Sequence, residues 1–309
     1  SADSVLAVAP FFHVMGFYTM LLTSLRRGST IVTLDTPVID KIFDLIDAHK
    51  ISFLVGGPPM MPAVASSGAA GKLQSLQKIY SGGGPLNLQA ESALRNAFPH
   101  ATIGQGYGLT EFMPLTLVEA GDVQPVGSVG RLVDGTIMKI VNPDDGHTCV
   151  IGETGEIVVK GPQLMKGYRG LPEATADVID SDGWFHTADL GHVDNEGFLF
   201  ITGRLKEMIT VLGHLIAPNT FEELILQIEP VREVVVAGHG EDPNNQVLIA
   251  FVVGEESLTI AQVKSALRSL PELPECEVVF VDAIPKSPAG KILRTELLEA
   301  MAATPINRN

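Results

Sequence analysis

The chain has 309 residues, 45% of them hydrophobic and 18% charged, enough to bury a sizeable core and long for a single domain, so two or more units are expected. Its formal net charge of −15 argues against a nucleic-acid partner or an anionic membrane surface, although a local basic patch could still hold a phosphate. The two cysteines, Cys149 and Cys276, are far apart without any metal-ligand spacing, and no leader-like segment or apolar run near ~18 residues is seen, which predicts a cytoplasmic protein with reduced thiols and no transmembrane segment.

Val5 to Ala9 is a continuous apolar run ended by Pro10, the pattern of a buried parallel strand, and Phe11 to Phe17 reads as a strand-to-helix turn that puts His13 near a pocket mouth. On residue type alone His13 could equally be packed in the core. Leu21 to Leu25, then Gly28 to Leu34, read as helix, glycine stop and strand, and Val38 to His49 with Ile51 to Val55 repeats the cycle. This is βα alternation. Gly56-Gly57-Pro58-Pro59 precedes a helix over Met60 to Ala65, and Met15, Met60 and Met61 could line an apolar pocket or simply fill the core.

Ser81 to Glu111 carries two glycine-dense turns, Ser81-Gly82-Gly83-Gly84-Pro85-Leu86 and Gly104-Gln105-Gly106-Tyr107-Gly108-Leu109-Thr110-Glu111, with one helix between them. Each follows a strand-like run, so each falls at the carboxyl end of a strand, where open α/β sheets bind ligands. Glycine lets the backbone come close to a planar or phosphorylated ligand, Tyr107 offers a ring face, and Thr110 and Glu111 add a hydroxyl and a carboxylate suited to phosphate oxygen and a hard divalent cation.

From Gly127 short strands alternate with turns, which reads as a small β-barrel or curled sheet. Gly183 to Gly191 is a polar turn inside aromatic packing, and Asp189 there could accept from vicinal ribose hydroxyls or serve only an Asx turn. Gly197 to Glu207 runs as a strand into a charged turn bearing Arg204 and Lys206. Beyond it, strands over Val231 to Gly238, Gln246 to Val253 and Glu277 to Val281, with helices over Leu258 to Leu270 and Leu293 to Ala303, make a compact α+β domain. Its loop Pro285 to Lys291 presents an ammonium between prolines and glycine.

Gly104 to Glu111 resembles the signature of the adenylate-forming enzymes, which include acyl-CoA and aryl-CoA ligases, insect luciferases and peptide-synthetase adenylation domains. Pro10-Phe11-Phe12-His13, Gly155-Glu156-Ile157-Val158-Val159, Thr187-Ala188-Asp189, Gly203-Arg204-Leu205-Lys206 and Pro285-Lys286-Ser287-Pro288-Ala289-Gly290-Lys291 resemble five further family stretches in order, closest to the acyl/aryl-CoA ligase branch. The implied fold is α/β: a parallel-sheet sublobe (1–126) and small β-barrel (127–203) of the large domain, then a small α+β domain (204–309). The implied activity is ATP-dependent conversion of a fatty or aromatic carboxylic acid to an acyl-adenylate, then thioester formation with coenzyme A; the alternatives are a non-catalytic nucleotide- or acyl-adenylate-binding fragment and an adenylation-only or luciferase-like enzyme.

The resemblance assigns the sites residue by residue. Lys291, Thr110, Glu111 and His13 are the expected catalytic groups, with Mg²⁺ at Glu111. Gly82, Gly83, Gly84, Gln105, Gly106, Tyr107, Asp189, Ile201, Arg204 and Gly213 are expected around ATP or AMP. Met15, Phe17, Gly108 and Pro114 are expected along the acyl tunnel, and Lys206 at the hinge. Three departures stand out: Ala188 occupies a glycine place, Thr210 to Leu215 lacks two lysines and a glutamine of the CoA-ligase pattern, and the Ser/Thr/Gly phosphate loop that lies upstream in the family is absent. The chain therefore resembles the carboxyl-terminal part of a longer ligase.

Overall fold

The computed structural model describes residues 3–66, 71–118, 123–212, 214–240, 242, 245–268, 274–286 and 292–303. These form two compact units, Ser1–Ile201 and Thr202–Asn309, against a sequence expectation of 203/204.

The first unit opens on a five-stranded parallel sheet of β1 (Ser4–Ala7), β2 (Thr30–Thr33), β3 (Phe53–Gly56), β4 (Lys78–Ser81) and β5 (Thr102–Gln105), in spatial order β2-β1-β3-β4-β5. Alternation along the strands decides which side chain meets which layer. Leu6, Leu54, Ile79 and Ile103 face Ile42 and Ile46 of α2 (Ile39–His49) and Met61 and Val64 of α3 (Met61–Ala65), while Val5, Ala7, Phe53 and Val55 face Met15 and Met20. Both faces are thus covered, as a parallel sheet requires. Where a helix over Leu21 to Leu25 is expected, the chain forms a π-helical stretch, Met15–Leu22, running into the short α1 (Thr23–Arg27). Between β4 and β5 lies α4 (Leu88–Ala97), capped by the Asn87 side chain.

The short-strand section contains the ribbon β6 (Thr116–Leu117) and β7 (Arg131–Leu132), and a four-stranded sheet of β8 (Ile137–Val141), β9 (Gly155–Lys160), β10 (Phe185–Val193) and β11 (Leu199–Arg204), with the single-turn α5 (Pro172–Ala176) between β9 and β10. Trp184 is half-buried and carries the Lys139 ammonium 4.5 Å over its ring.

The second unit begins with the hairpin β12 (Ile209–Val211) and β13 (His214–Ile216), followed by α6 (Pro218–Leu226). A three-stranded sheet of β14 (Val231–His239), β15 (Val247–Gly254) and β16 (Cys276–Phe280) is antiparallel at the first pair and parallel at the second. Phe221, Ile225, Val263 and Leu267, from α6 and α7 (Ile260–Leu267), cover one face, and Leu297 of α8 (Arg294–Ala303) covers the other. No helix among the described residues is long and apolar enough to cross a membrane.

Candidate active site

Both glycine turns leave the carboxyl edge of the parallel sheet from neighbouring strands, β4 and β5. The Gly82 N–H donates to Gly56 O at 3.1 Å and the Gly106 N–H to Ser81 O at 3.0 Å, so the first turn is laced to β3 and the second to β4. Gly83 has φ +83°, a conformation that favours glycine. A methyl group added at Gly82 or Gly83 would sit 3.4 or 3.3 Å from the Met15 Cε. The sequence-predicted acyl-site methionine therefore lies next to the predicted adenine turn. The buried Ser81 hydroxyl at the head of this turn has no protein partner, a polar orphan of the kind found where ligands bind.

A buried network fixes the two turns. Glu91, on α4, is fully buried and accepts from Arg95 Nη2 at 2.6 Å, from Gln105 Nε2 at 3.1 Å and from the Gly127 N–H at 3.0 Å. The Gln105 Oε1 in turn accepts from the Leu86 N–H at 3.0 Å, and Gln124 Oε1 accepts from the Gln105 N–H at 3.0 Å. The Gln105 side-chain amide is thus engaged by Leu86 and Glu91, and it ties the first glycine turn to the second. Glu91 and Gln124 were not legible as site residues.

Tyr107 is held by its main chain, donating N–H to Thr116 Oγ1 at 3.0 Å and accepting from the Leu115 and Thr116 N–H groups. Its hydroxyl donates to Asp189 Oδ2 at 2.6 Å. Asp189 is 5% exposed and sits where the β9–β10 register shifts between His186 and Leu190. Such a bulge re-aims a side chain out of the ladder. Ala188 has φ +57°, the left-handed conformation that a bulge of this kind normally gives to glycine. The family's glycine at this place therefore has a conformational reason, and Ala188 adopts the same backbone at a cost. Glu156 secures the bulge, accepting from the Ala188 N–H at 3.0 Å and facing His186 Nδ1 at 2.8 Å.

Glu111 accepts at Oε1 from the Tyr168 hydroxyl at 2.7 Å. That hydrogen bond, followed by burial and the carboxylate charge, pushes the Tyr168 phenol up to about 12. Tyr168 is thus an orienting partner of Glu111. Thr110 is exposed beside it. Carboxylate and hydroxyl oxygens are hard donors, a set that fits Mg²⁺. Gly108 lies against Met113 and Phe112, and Pro114 is buried.

His13 is exposed, and its Nδ1 accepts from the Met15 N–H at 3.2 Å, which puts the ring proton on Nε2. Phe17 is 49% exposed on the outer side of the π-helical stretch. An apolar cleft of about 380 Å³ does open at the carboxyl ends of β1 and β3, lined by Val8, Ala9, Ile42, Gly57 and Met60 among others. This is the crossover point of the strand order, where such sheets bind ligands, but none of the expected tunnel residues lines it.

Ile201 packs at the edge of the Phe112 cluster. In the second unit, Arg204 closes β11 and Lys206 lies exposed in the turn Leu205–Glu207. Gly213 and Lys291 fall outside the described residues. Arg294, three residues beyond Lys291, donates from Nη1 to Glu207 at 2.9 Å and from Nη2 to Glu222 at 3.2 Å. The residue next to Lys206 and the end of the Lys291 loop are therefore tied together. Glu222 also accepts from the Val236 N–H at 2.8 Å.

Models of the AMP-binding enzyme and of the AMP-binding enzyme C-terminal domain match residues 1–169 and 220–291. The chain belongs to the AMP-binding enzyme family. It is 36% identical to a 4-coumarate–CoA ligase of Vanilla planifolia over 321 residues, covering 100% of this chain and 58% of that protein. A 4-coumarate–CoA ligase of Arabidopsis thaliana is 36% identical over 98% of this chain and 56% of its own length. The chain thus spans just under three fifths of these relatives. Among solved structures, ATP-bound MatB from Rhodopseudomonas palustris superposes with a TM-score of 0.87 at 29% identity, over 97% of this chain and 60% of that one. The o-succinylbenzoate CoA synthetase of Bacillus subtilis with its acyl-adenylate intermediate gives 0.81 at 25% identity, over 96% and 61%. The large-plus-small architecture of the adenylate-forming enzymes is therefore the architecture of this chain.

Proposed function

We propose that the site serves a fatty- or aryl-CoA ligase reaction in the cytoplasm, in which a carboxylic acid is joined to ATP as an acyl-adenylate and then passed to the thiol of coenzyme A. The observation that carries this reading is the meeting of Tyr107 with Asp189, beside a glycine turn packed on Met15. A ring face, a buried carboxylate and an approachable backbone are what an adenosine needs: stacking, an acceptor for ribose hydroxyls and room for the base. Gly82 to Gly84 and Tyr107 enclose adenine, Gly106 lends its main chain, and Asp189 and Arg204 take the ribose. In-line attack of the carboxylate on the α-phosphate builds charge on phosphoryl oxygens, which Thr110 and Lys291 stabilise. A Mg²⁺ held at Glu111 would supply further neutralising charge there, and Tyr168 orients that carboxylate. Met15, with Gly83, Gly108 and Pro114, bounds the apolar substrate, next to His13.

The test is to join the chain to an upstream segment that carries the family's phosphate loop, to incubate it with ATP, Mg²⁺, coenzyme A and panels of cinnamic-type and fatty acids, and to follow adenylates and thioesters by mass spectrometry. Adenylate from one panel, with or without thioester, is expected. AMP binding without adenylate from any acid would overturn the catalytic reading in favour of a nucleotide-binding module.

A further inference from the structure

The connection between β8 and β9 holds a cluster that the nucleotide site does not use. A turn at 142–146 is closed by the Gly146 N–H to Asn142 O at 2.9 Å, and the chain then rejoins the ladder, with the Cys149 N–H donating to Ile140 O at 2.8 Å. His147 and Cys149 are two apart on this extended segment, so their side chains share a face. A second turn, with the Glu153 N–H on Val150 O at 3.0 Å, returns Glu153 to the same place. One ligand atom each from His147, Cys149 and Glu153 lies within 4.8 Å of the other two.

Two of the three are already aimed. Asp145 Oδ1 lies 2.7 Å from His147 Nδ1, so a proton on Nδ1 has its acceptor and Nε2 is the nitrogen a metal ion would take. This is the carboxylate–histidine arrangement found behind metal-bound imidazoles. The Val150 N–H holds Glu153 Oε2 at 3.1 Å, and Oε1 stands 3.4 Å from His147 Nε2. That spacing is the edge of a tetrahedron around an ion with N and O ligands at about 2.0–2.1 Å. The site is open to solvent, the His147 and Glu153 side chains being 47% and 37% exposed.

We propose that His147, Cys149 and Glu153 bind a borderline-soft divalent cation of the Zn²⁺ class, with Asp145 positioning His147 and water completing the shell. The mixed N, S and O donor set selects such an ion over Mg²⁺ or Ca²⁺, which take oxygen ligands. The bound ion would staple the two turns of the connection. Sequence spacing alone gave no metal signal around Cys149, because the grouping exists only once the turns at 142–146 and 150–153 have formed.

Cobalt(II) is the probe, added to the metal-stripped, reduced chain. One equivalent is expected to bind with a thiolate-to-metal charge-transfer band and the intense visible bands of a tetrahedral site, both displaced by Zn²⁺. Cys149→Ser should abolish the charge-transfer band, Cys276→Ser should leave it, and Asp145→Asn should weaken binding by about 10- to 100-fold while keeping the band at saturation. Should Cys149→Ser fail to fold, the exposed His147→Ala variant decides the matter by losing the tetrahedral bands. Absence of a thiolate band in the unmodified chain, its survival in Cys149→Ser, or tetrahedral bands unchanged in His147→Ala would overturn the proposal.

Discussion

Tyr107 and Asp189 are 82 positions apart in the chain, and the phenol of one donates to the carboxylate of the other at 2.6 Å. The hydrogen bond joins the second glycine turn to the bulge in β10, so the ring and the carboxylate are set against each other by the fold itself. Tyr107→Phe keeps the ring and removes the donor. Since a hydrogen bond to a charged group contributes roughly 1.5–3 kcal/mol and Asp189 keeps its other contacts, the variant should unfold about 1–2 kcal/mol more easily. Chemical denaturation measures this, and an unchanged midpoint would show that the contact contributes nothing.

Ala188 gives a prediction of opposite sign. An L-residue in the left-handed region is strained by roughly 1–2 kcal/mol, and glycine offsets part of that relief by its greater freedom when unfolded. Ala188→Gly should therefore stabilise the first unit by about 0.5–1 kcal/mol, while Ala188→Val should destabilise it. A denaturation series over the three side chains checks the order Gly, Ala, Val.

Glu91 is a fully buried carboxylate with donors from three residues, Arg95, Gln105 and Gly127. Glu91→Ala leaves Arg95 and Gln105 without their acceptor, and breaking one side of such a pair costs about 3 kcal/mol or more. The loss should appear in thermal unfolding and in hydrogen exchange at Leu86 and Gly127, whose amides hang on the same network. Unaltered exchange at those two amides would contradict the bracing role.

These residues also show what the sequence could and could not reveal. The two glycine turns, the βα cycles and the α+β unit were legible, because glycine density, strand alternation and helical period are local signals. Glu91 looked like one more charge on a helix; its partners Gln105 and Gly127 lie in other elements, and nothing local marks it. Ala188 was visible as a departure at a glycine place, yet its left-handed backbone depends on pairing with β9 some thirty residues earlier. Phe17 falls in a π-helical stretch, Met15–Leu22, where the sequence reads as a strand-to-helix turn, and no pattern announced that stretch.

In the second unit, Glu222 is partly buried, and that burial pushes its carboxyl above the ordinary 4.5, opposed by the Val236 N–H and by Arg294. A glutamate with a raised folded value contributes stability that is complete below 4.5 and lost as pH rises through the raised value. Arg294→Met removes the opposing cation, so the Glu222 pKa should climb further and the unit should lose more stability on going from acid to neutral pH. A carboxyl-carbon NMR titration gives the pKa directly, and a downward move in the variant would contradict the assignment.

The central claim is that Tyr107 and Asp189 form an adenosine site, and the most direct measurement is calorimetric titration of AMP into the unmodified chain and into Asp189→Ala. Saturable binding at one site per chain is predicted, weakened in the variant by about 1–3 kcal/mol through loss of the charged acceptor for ribose hydroxyls. Equal affinity in the two proteins, or no binding to the unmodified chain, would contradict it.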